Sequence, residues 1–108
     1  MKPALLRPQA LRDQQSEVRY YRQQAQTRVA VRPVKATNAA LDPIEFDPGI
    51  GSPVPGKALE VPGLRTWRVA RFPMLWCYFE RNDHVDVVRL LGGRQDVAAL
   101  FGEESSGR

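Results

Sequence analysis

The sequence contains few of the residues that build metal sites and disulfides. Its 108 residues include a single cysteine, Cys77, and a single histidine, His84. One cysteine excludes a disulfide within the chain, which is typical of a reducing, cytoplasmic setting. One cysteine and one histidine are also too few for the usual ligand set of a zinc site. The stretches GIGSP and LGGR lack the lysine and the strand–loop–helix context of a phosphate-binding loop, so we expect no metal and no other cofactor.

Long apolar stretches are also absent. The longest hydrophobic runs are far too short to cross a bilayer. The N-terminal segment MKPALLRPQALRD carries charge without a sustained apolar region, unlike a secretory signal. We therefore expect a cytoplasmic protein with no membrane partner. Hydrophobic residues still make up 43% of the chain, which is enough for folding, and the length favours one domain over residues 1–108.

The positive charge of the chain is carried mainly by arginine. The formal net charge is +4, and only three of the 16 basic residues are lysines, so 13 are arginines. The planar guanidinium group suits carboxylates, phosphates and base edges. The composition therefore indicates an acidic partner, either a nucleic acid or an acidic protein segment. The alternative is a solvated, arginine-rich surface without a partner.

Three consecutive runs rich in aromatic and β-branched residues predict strands over residues 64–70, 74–81 and 84–91. Phe72-Pro73 separates the first two runs, and Asn82-Asp83 separates the second pair. Asn and Asp tolerate the positive φ angles of tight hairpins. The pattern therefore predicts a three-stranded antiparallel meander, and Gly92-Gly93 is expected to end its last strand.

The segments before the meander predict one more strand and a helical hairpin. Residues 4–7 predict a short edge strand, and the apolar spacing over residues 8–26 predicts a helix with Leu11, Val18, Tyr21 and Ala25 on one face. Residues 27–46 predict a second helix that Thr27 would cap. Pro33 and Pro43 each cost ~3 kcal/mol in a helix interior. We therefore expect either a kink or a helix that runs from near Pro33 to near Pro43.

Two further segments complete the predicted fold. Residues 47–62 contain four prolines and three glycines, which excludes regular structure over most of their length. Residues 96–101 predict a short C-terminal helix. The order β-α-α-β-β-β predicts an α+β fold in which a helical hairpin covers one face of an antiparallel sheet. Because residues 74–79 are apolar on both strand faces, the second face must pack either on the chain's own loops or on a partner.

Three segments resemble the RelE/ParE superfamily of bacterial type II toxins: DPGIGSP at 47–53, PGLRTWRVARFP at 62–73 and VDVVRLLGGRQDV at 85–97. The last segment is similar to the ParE-like branch, with Arg89, two leucines, Arg94 and Asp96 in the typical order, and Gly92 where that branch usually has a histidine. The resemblance implies a cognate ParD-like antitoxin whose acidic, amphipathic C-terminal segment wraps the toxin.

The superfamily implies two functional classes. ParE-like toxins inhibit DNA gyrase and are not nucleases, whereas RelE-like toxins cleave mRNA on the ribosome. RNA cleavage requires a base, an acid and cations on the phosphate, for which the candidates are Arg65, Arg89, Arg94 and His84. Since proton-transfer groups are scarce, we expect a gyrase inhibitor rather than an enzyme. The alternatives are a RelE-like mRNA endonuclease and a non-toxic remnant that only binds the antitoxin.

The residues that we expect to bind a target or the antitoxin lie on the meander and just after it: Arg65, Trp67, Arg71, Trp76, Arg89 and Arg94. Strand alternation places Arg89 on the face of Val85 and Val87, where a charge must be paired or functional. Either Arg89 acts on the target, or its partner is Asp86, Asp96 or a carboxylate of the antitoxin. Asp96 is also expected to pair with Arg94. The two tryptophans are alternatively core residues.

Overall fold

The computed structural model of the chain describes residues 1–24 and 32–93. Within these ranges no helix combines the length and the apolar character that a membrane crossing requires. The elements follow the chain as β1 (Ala4–Leu6), α1 (Pro8–Gln24), α2 (Pro33–Ala39), α3 (Leu41–Phe46), a 3-10 turn (Pro48–Ile50), α4 (Val54–Ala58), β2 (Arg65–Arg68), β3 (Met74–Glu80) and β4 (Val85–Gly92).

The four strands form one sheet in the order β1-β4-β3-β2. The predicted α+β fold and the antiparallel meander of β2, β3 and β4 are confirmed. The expectation of a wholly antiparallel sheet is wrong, because β1 pairs with β4 in parallel, from Ala4 opposite Val85 to Leu6 opposite Val87. A parallel pair needs a long crossover connection, and here the helices and the meander provide it. A three-residue strand carries no pattern that reveals its pairing direction.

The helices start where proline allows them to start. The second predicted helix begins at Pro33, the first helical position, where a missing N–H costs nothing. It does not end near Pro43. Ala40 ends α2 and begins α3, so Pro43 falls in the first turn of α3, where its N–H is again not needed. The predicted cap Thr27 and the predicted helix over residues 96–101 lie outside the described residues.

The proline-rich connection over residues 47–62 is more ordered than we expected. It contains the 3-10 turn and α4, so the prediction that it lacks regular structure is wrong for these parts. The 3-10 turn begins at Pro48, and Pro55 is the second residue of α4. Neither position needs an N–H partner. Gly56 lets α4 approach the sheet, because a Cβ atom there would lie 2.5 Å from the carbonyl oxygen of Leu64.

Apolar residues pack on both faces of the sheet. On one face the helices cover a core that includes Ile44, Trp76, Tyr78 and Val87. The opposite face carries a smaller buried cluster of Leu64, Cys77, Val88 and Leu91, against which Leu59, Val61 and Phe79 pack. The chain's own segment after α4 therefore covers the second face, which is the first of the two alternatives that the sequence left open.

A β-bulge in β4 changes which side chains share a face. Cys77 lies opposite Arg89, whereas the next residue, Tyr78, lies opposite Val87. Val88 is thus the extra residue, and the alternation of β4 shifts by one position there. The prediction that Arg89 shares a face with Val87 is therefore wrong. The strand continues through Gly92, which lies opposite Met74, one residue beyond the predicted range. It ends at Gly92-Gly93, as expected.

A buried carboxylate of α1 attaches the helices to the bulged end of β4. Asp13 Oδ2 accepts hydrogen bonds from Arg89 Nε at 2.8 Å and from the Leu90 backbone N–H at 3.0 Å. Its Oδ1 accepts from Gln9 Nε2 at 2.9 Å. The Asp13 and Arg89 side chains are only 10% and 17% exposed. Because β1 pairs only with residues 85–87, Asp13 takes over the edge of β4 where β1 ends.

The chain itself also engages the outer edges of the sheet. Ser52 forms an antiparallel bridge with Thr66 of β2, with N–H to oxygen distances of 2.9 and 3.0 Å. At the opposite edge, Glu45 Oε2 accepts the N–H of Ala4 in β1 at 2.7 Å. The backbone carbonyl of Glu45 accepts the N–H of Lys2 at 3.1 Å. Both edge strands are therefore partly satisfied by segments that precede the meander.

The Asp13 contact predicts a specific loss of stability. Asp13→Asn removes the buried carboxylate that accepts from Arg89 and from the Leu90 N–H, so we expect the free energy of unfolding to fall by about 3 kcal/mol. Urea denaturation measures it. Asp42→Asn makes the same change at an exposed site in α3 and should cost less than about 1 kcal/mol. Equal losses in the two variants would contradict the assigned role of Asp13.

A second prediction concerns acid. Hydrogen bonds from Arg7 and then Arg81 hold the pKa of Asp86 at about 2, against an ordinary value of 3.8. Since the folded pKa is depressed, this contribution is complete above pH 4 and disappears as the pH falls towards 2. Asp86→Asn should lower stability at pH 7 and flatten its decline between pH 4 and 2, as measured by urea denaturation at each pH. Asp42→Asn should keep the wild-type slope, and an unchanged slope in Asp86→Asn would refute the prediction.

A third prediction isolates a close backbone approach. Gly51 has an ordinary extended conformation, with φ −68° and ψ 155°, but a Cβ atom there would overlap the Tyr78 hydroxyl and lie 2.9 Å from the carbonyl oxygen of Thr66. Gly51→Ala should cost about 1–3 kcal/mol by overpacking. At Gly49 a Cβ atom would lie 3.6 Å from its nearest neighbour, so Gly49→Ala should be close to neutral in the same denaturation experiment.

Candidate functional site

Arg65 and Tyr78 hold the proline-rich loop against the helix-covered face of the sheet. Arg65 Nη1 donates to the carbonyl oxygen of Gly51 at 2.7 Å. The Tyr78 hydroxyl donates to the carbonyl oxygen of Pro48 at 2.6 Å and accepts from the Gly51 N–H at 3.0 Å. Burial raises the pKa of Tyr78, and the bond from Gly51 opposes part of that shift. Tyr78 is therefore a core residue with a structural hydroxyl, poorly suited to act as a base.

Arg89 lies on β4, on the other side of β3 from Arg65. It stands opposite Cys77, whereas Arg65 stands opposite the neighbouring Tyr78, so their side chains leave opposite faces of the sheet. The predicted ion pair between Arg89 and Asp86 is wrong, because Asp86 binds Arg7 and Arg81 instead. Its partner is Asp13, 76 residues away in sequence. The other expected partner, Asp96, and Arg94 itself lie outside the described residues.

His84 lies in the turn before β4, apart from these arginines. Its Nδ1 is 2.7 Å from Asp83 Oδ1, and the His84 side chain is 30% exposed. The hydrogen bond from His84 lowers the pKa of the exposed Asp83 carboxyl group. The three described candidates for RNA cleavage are thus not brought together: Arg65 and Arg89 leave opposite faces, and His84 lies at the hairpin turn. The fourth candidate, Arg94, lies outside the described residues.

Trp67 and Arg71 share a surface. A groove of about 430 Å³ opens between α2, α3 and the β2–β3 turn. Trp67 is half-buried, and Arg68 and Arg71 are exposed at this groove. We define the basic groove by its lining residues: Lys35, Ala36, Ala39, Ala40, Pro43, Trp67, Arg68, Ala70 and Arg71.

Trp76 does not reach this surface. Its side chain is fully buried in the core, and its indole N–H donates to the carbonyl oxygen of Thr37 at 2.9 Å. Gln14 Nε2 in α1 donates to the Thr37 hydroxyl at 2.8 Å and to Asn38 Oδ1 at 2.7 Å. Trp76 therefore fixes α2, and with it one wall of the basic groove, on the sheet.

The polar residues on the buried side of α1 were missed. Of the face that we predicted, Val18 is buried and Tyr21 packs against the core, and Ala25 lies outside the described residues. Leu11 is 47% exposed, and the buried residues are Ala10, Asp13, Gln14, Glu17 and Val18. This set also follows helical spacing, but three of its members are polar. Glu17 lies against Gly92, where a Cβ atom would be 2.5 Å from Glu17 Oε1. The glycine that replaces the usual histidine thus leaves room for a buried carboxylate.

The comparisons with known proteins agree with this fold. The family model described as the ParE toxin of type II toxin–antitoxin systems, parDE, matches residues 4–97. One similar solved structure, a chromosomal ParDE toxin–antitoxin system from P. aeruginosa, has a TM-score of 0.67 and 21% sequence identity, and the match covers 83% of this chain and 94% of that one. At that identity the likeness shows the fold alone. No curated protein matches significantly. Because the family model spans nearly the whole sequence, the chain belongs to the ParE toxin family of type II toxin–antitoxin systems.

Proposed function

We propose that this toxin is neutralised by a ParD-like antitoxin and that the free toxin inhibits DNA gyrase without being an enzyme. The observation that carries the gyrase proposal is the dispersal of the groups that RNA cleavage needs. Cleavage requires a base, an acid and phosphate-binding cations around one bond. Among the described residues, Arg65 and Arg89 leave opposite faces of the sheet, and the Tyr78 hydroxyl is occupied by two backbone groups.

The proposed partner is acidic. The similar structure from P. aeruginosa is a ParDE system, and the matched family is named for the parDE pair. A carboxylate-rich partner also complements a chain with 13 arginines and a net charge of +4. This support is chemical and comes from relatives, so a direct binding measurement has to test it.

The proposed contact residues differ in what they do for the fold. Trp67 and Arg71 line the basic groove and are accessible to a partner. Arg65 and Arg89 are bonded to the chain itself, so any contribution from them depends on those bonds opening or on their remaining donors. Arg94 stays a proposed contact because it follows the arginine and two leucines that are typical of the ParE-like branch.

The function is tested by inducing the toxin in growing cells and assaying the purified protein. We expect growth arrest, loss of gyrase supercoiling activity and intact mRNA on programmed ribosomes. Arrest with cleaved mRNA and unaffected gyrase would establish the RelE-like alternative. No arrest, with antitoxin binding retained, would establish a non-toxic remnant.

A variant of the single histidine separates the two toxic mechanisms further. His84→Gln removes the imidazole at an accessible turn where its bond joins only the neighbouring Asp83. We expect growth arrest and gyrase inhibition to be unchanged, because no step of the proposed mechanism needs a proton-transfer group. A loss of toxicity in a folded His84→Gln protein would contradict the non-enzymatic proposal.

A further inference from the structure

The charged residues of α1 are sorted by sign between its two sides. Its two acidic residues, Asp13 and Glu17, are buried. Its three basic residues, Arg12, Arg19 and Arg22, are all exposed. At 3.6 residues per turn these arginines fall within an arc of about 80°, on the side opposite the buried residues. We define the basic side of α1 by these three arginines.

The arginines of the basic side keep their charge. Within the described ranges no ion pair involves Arg12, Arg19 or Arg22. Arg12 Nη2 donates to Gln9 Oε1 at 3.1 Å, but that amide oxygen is neutral. The neighbouring segment over residues 32–40 contains two basic residues and no Asp or Glu. An anion therefore meets a positive surface that no described carboxylate neutralises.

A cleft of about 420 Å³ runs between the basic side of α1 and α2. Arg19 and Arg22 line it together with Gln15 and Gln23, and none of the described residues that line it is acidic. Guanidinium and amide groups present several N–H donors in fixed directions. Donors of these two kinds are among those that bind phosphate oxygens and sugars of nucleic acids.

The surface around these arginines is polar. Gln15, Ser16 and Gln23 are exposed beside them, and both tyrosines of α1 are half-buried. Leu11, 47% exposed, is the one large hydrophobic residue exposed on α1. Protein interfaces have a centre of apolar and aromatic residues, and single-stranded nucleic acids stack on aromatic rings. Duplex phosphates bind Arg, Gln and Ser side chains, so these residue types favour a duplex over an acidic protein.

We propose that the basic side of α1 binds the phosphate backbone of double-stranded DNA. Arg12 and Arg22 lie about 15 Å apart along the helix axis, at 1.5 Å per residue. That length exceeds the width of the major groove of B-DNA, about 12 Å, so the arginines reach phosphates on both sides of it. Phosphate contacts carry no sequence information, so binding is independent of sequence. This inference goes beyond the proposed function, because binding requires neither gyrase nor the antitoxin.

The test is a fluorescence-anisotropy titration of a labelled DNA duplex of mixed sequence, two helical turns long, with the purified toxin. At physiological salt we expect a Kd of about 1–100 µM, the usual range for sequence-independent binding. Three phosphate contacts predict that log K falls with log salt concentration with a slope of about −2.7. No binding by the wild-type toxin, or a slope near zero, would overturn the inference.

A triple variant with Arg12→Gln, Arg19→Gln and Arg22→Gln tests the assigned residues. We expect Kd to rise at least about a hundredfold and the salt slope to approach zero. Gln and Arg have similar helix propensities, so the urea midpoint should stay at the wild-type value. Arg12→Lys, Arg19→Lys and Arg22→Lys together keep the charge and should bind DNA within about threefold of the wild type.

A matched control removes the same charge elsewhere. Lys57→Gln, Arg68→Gln and Arg71→Gln together also neutralise three exposed basic residues, all outside α1. We expect this variant to change Kd by less than about threefold, because a phosphate contact acts at short range while net charge alone is screened by salt. Equal losses in the two triple Gln variants would mean that only net charge matters and would overturn the inference.

Competing ligands decide which partner the surface fits. If poly-glutamate displaces the DNA duplex at an equal concentration of charge, the surface suits an acidic protein, and the inference is wrong. If a single-stranded RNA of the same length binds more tightly than the DNA duplex, the inference is also wrong. Gyrase is absent from every one of these titrations. Their failure therefore leaves the proposed function standing, and a toxin that binds DNA without inhibiting gyrase would refute only the proposed function.

Discussion

The carboxylate of Asp13 fixes the helical layer in register with the sheet. It lies where β1 ends and β4 bulges, and it accepts bonds from Arg89, from the Leu90 backbone and from Gln9 at distances of 2.8–3.0 Å. A buried carboxylate restricts how its helix can be placed. Any placement that separates the carboxylate from its donors leaves an unpaired ion in a low-dielectric interior. This contact therefore selects one placement of α1 more than it adds net stability. Since α2 packs on α1 through Gln14, the wall of the basic groove depends on the same contact.

The basic residues fall into two groups that composition alone does not separate. Several of those beside the sheet are paired with the chain's own carboxylates, as at Asp86 and Asp13. Arg65 is hydrogen-bonded to the Gly51 carbonyl oxygen and keeps its charge. The residues around the groove keep their charge exposed. The net charge of +4 therefore does not show how unevenly the positive charge is distributed over the surface. An anionic partner meets it mainly on the exposed surfaces of the helices and the β2–β3 turn.

The sequence predicted the meander well because its turns carry Pro, Asn and Asp between runs with high strand propensity. It could not reveal the bulge at Val88, since VDVVRLL is apolar in both phases of a period-two pattern. The pairing direction of β1 was equally hidden, because three residues define no register. The polar part of the buried face of α1 was missed for a different reason: Asp13 and Glu17 are polar but buried, and a hydrophobicity pattern assigns such residues to solvent. The family resemblance was confirmed, whereas the spatial separation of Arg65, Arg89 and His84 depends on tertiary contacts that no local motif encodes.

The partly occupied edges of the sheet have a consequence for assembly. Exposed edge strands normally invite a second chain to continue the hydrogen-bond ladder, but Ser52 already occupies Thr66, and Glu45 already occupies Ala4. Another chain that extended the sheet at these positions would first have to displace the intramolecular hydrogen bonds of Thr66 and Ala4. Main-chain hydrogen bonds do not depend on the partner's sequence, whereas contacts with side chains in a groove do. The occupied positions therefore disfavour non-specific strand addition at the edges of this small toxin. Partners are then recognised through side-chain contacts, which depend on the partner's sequence.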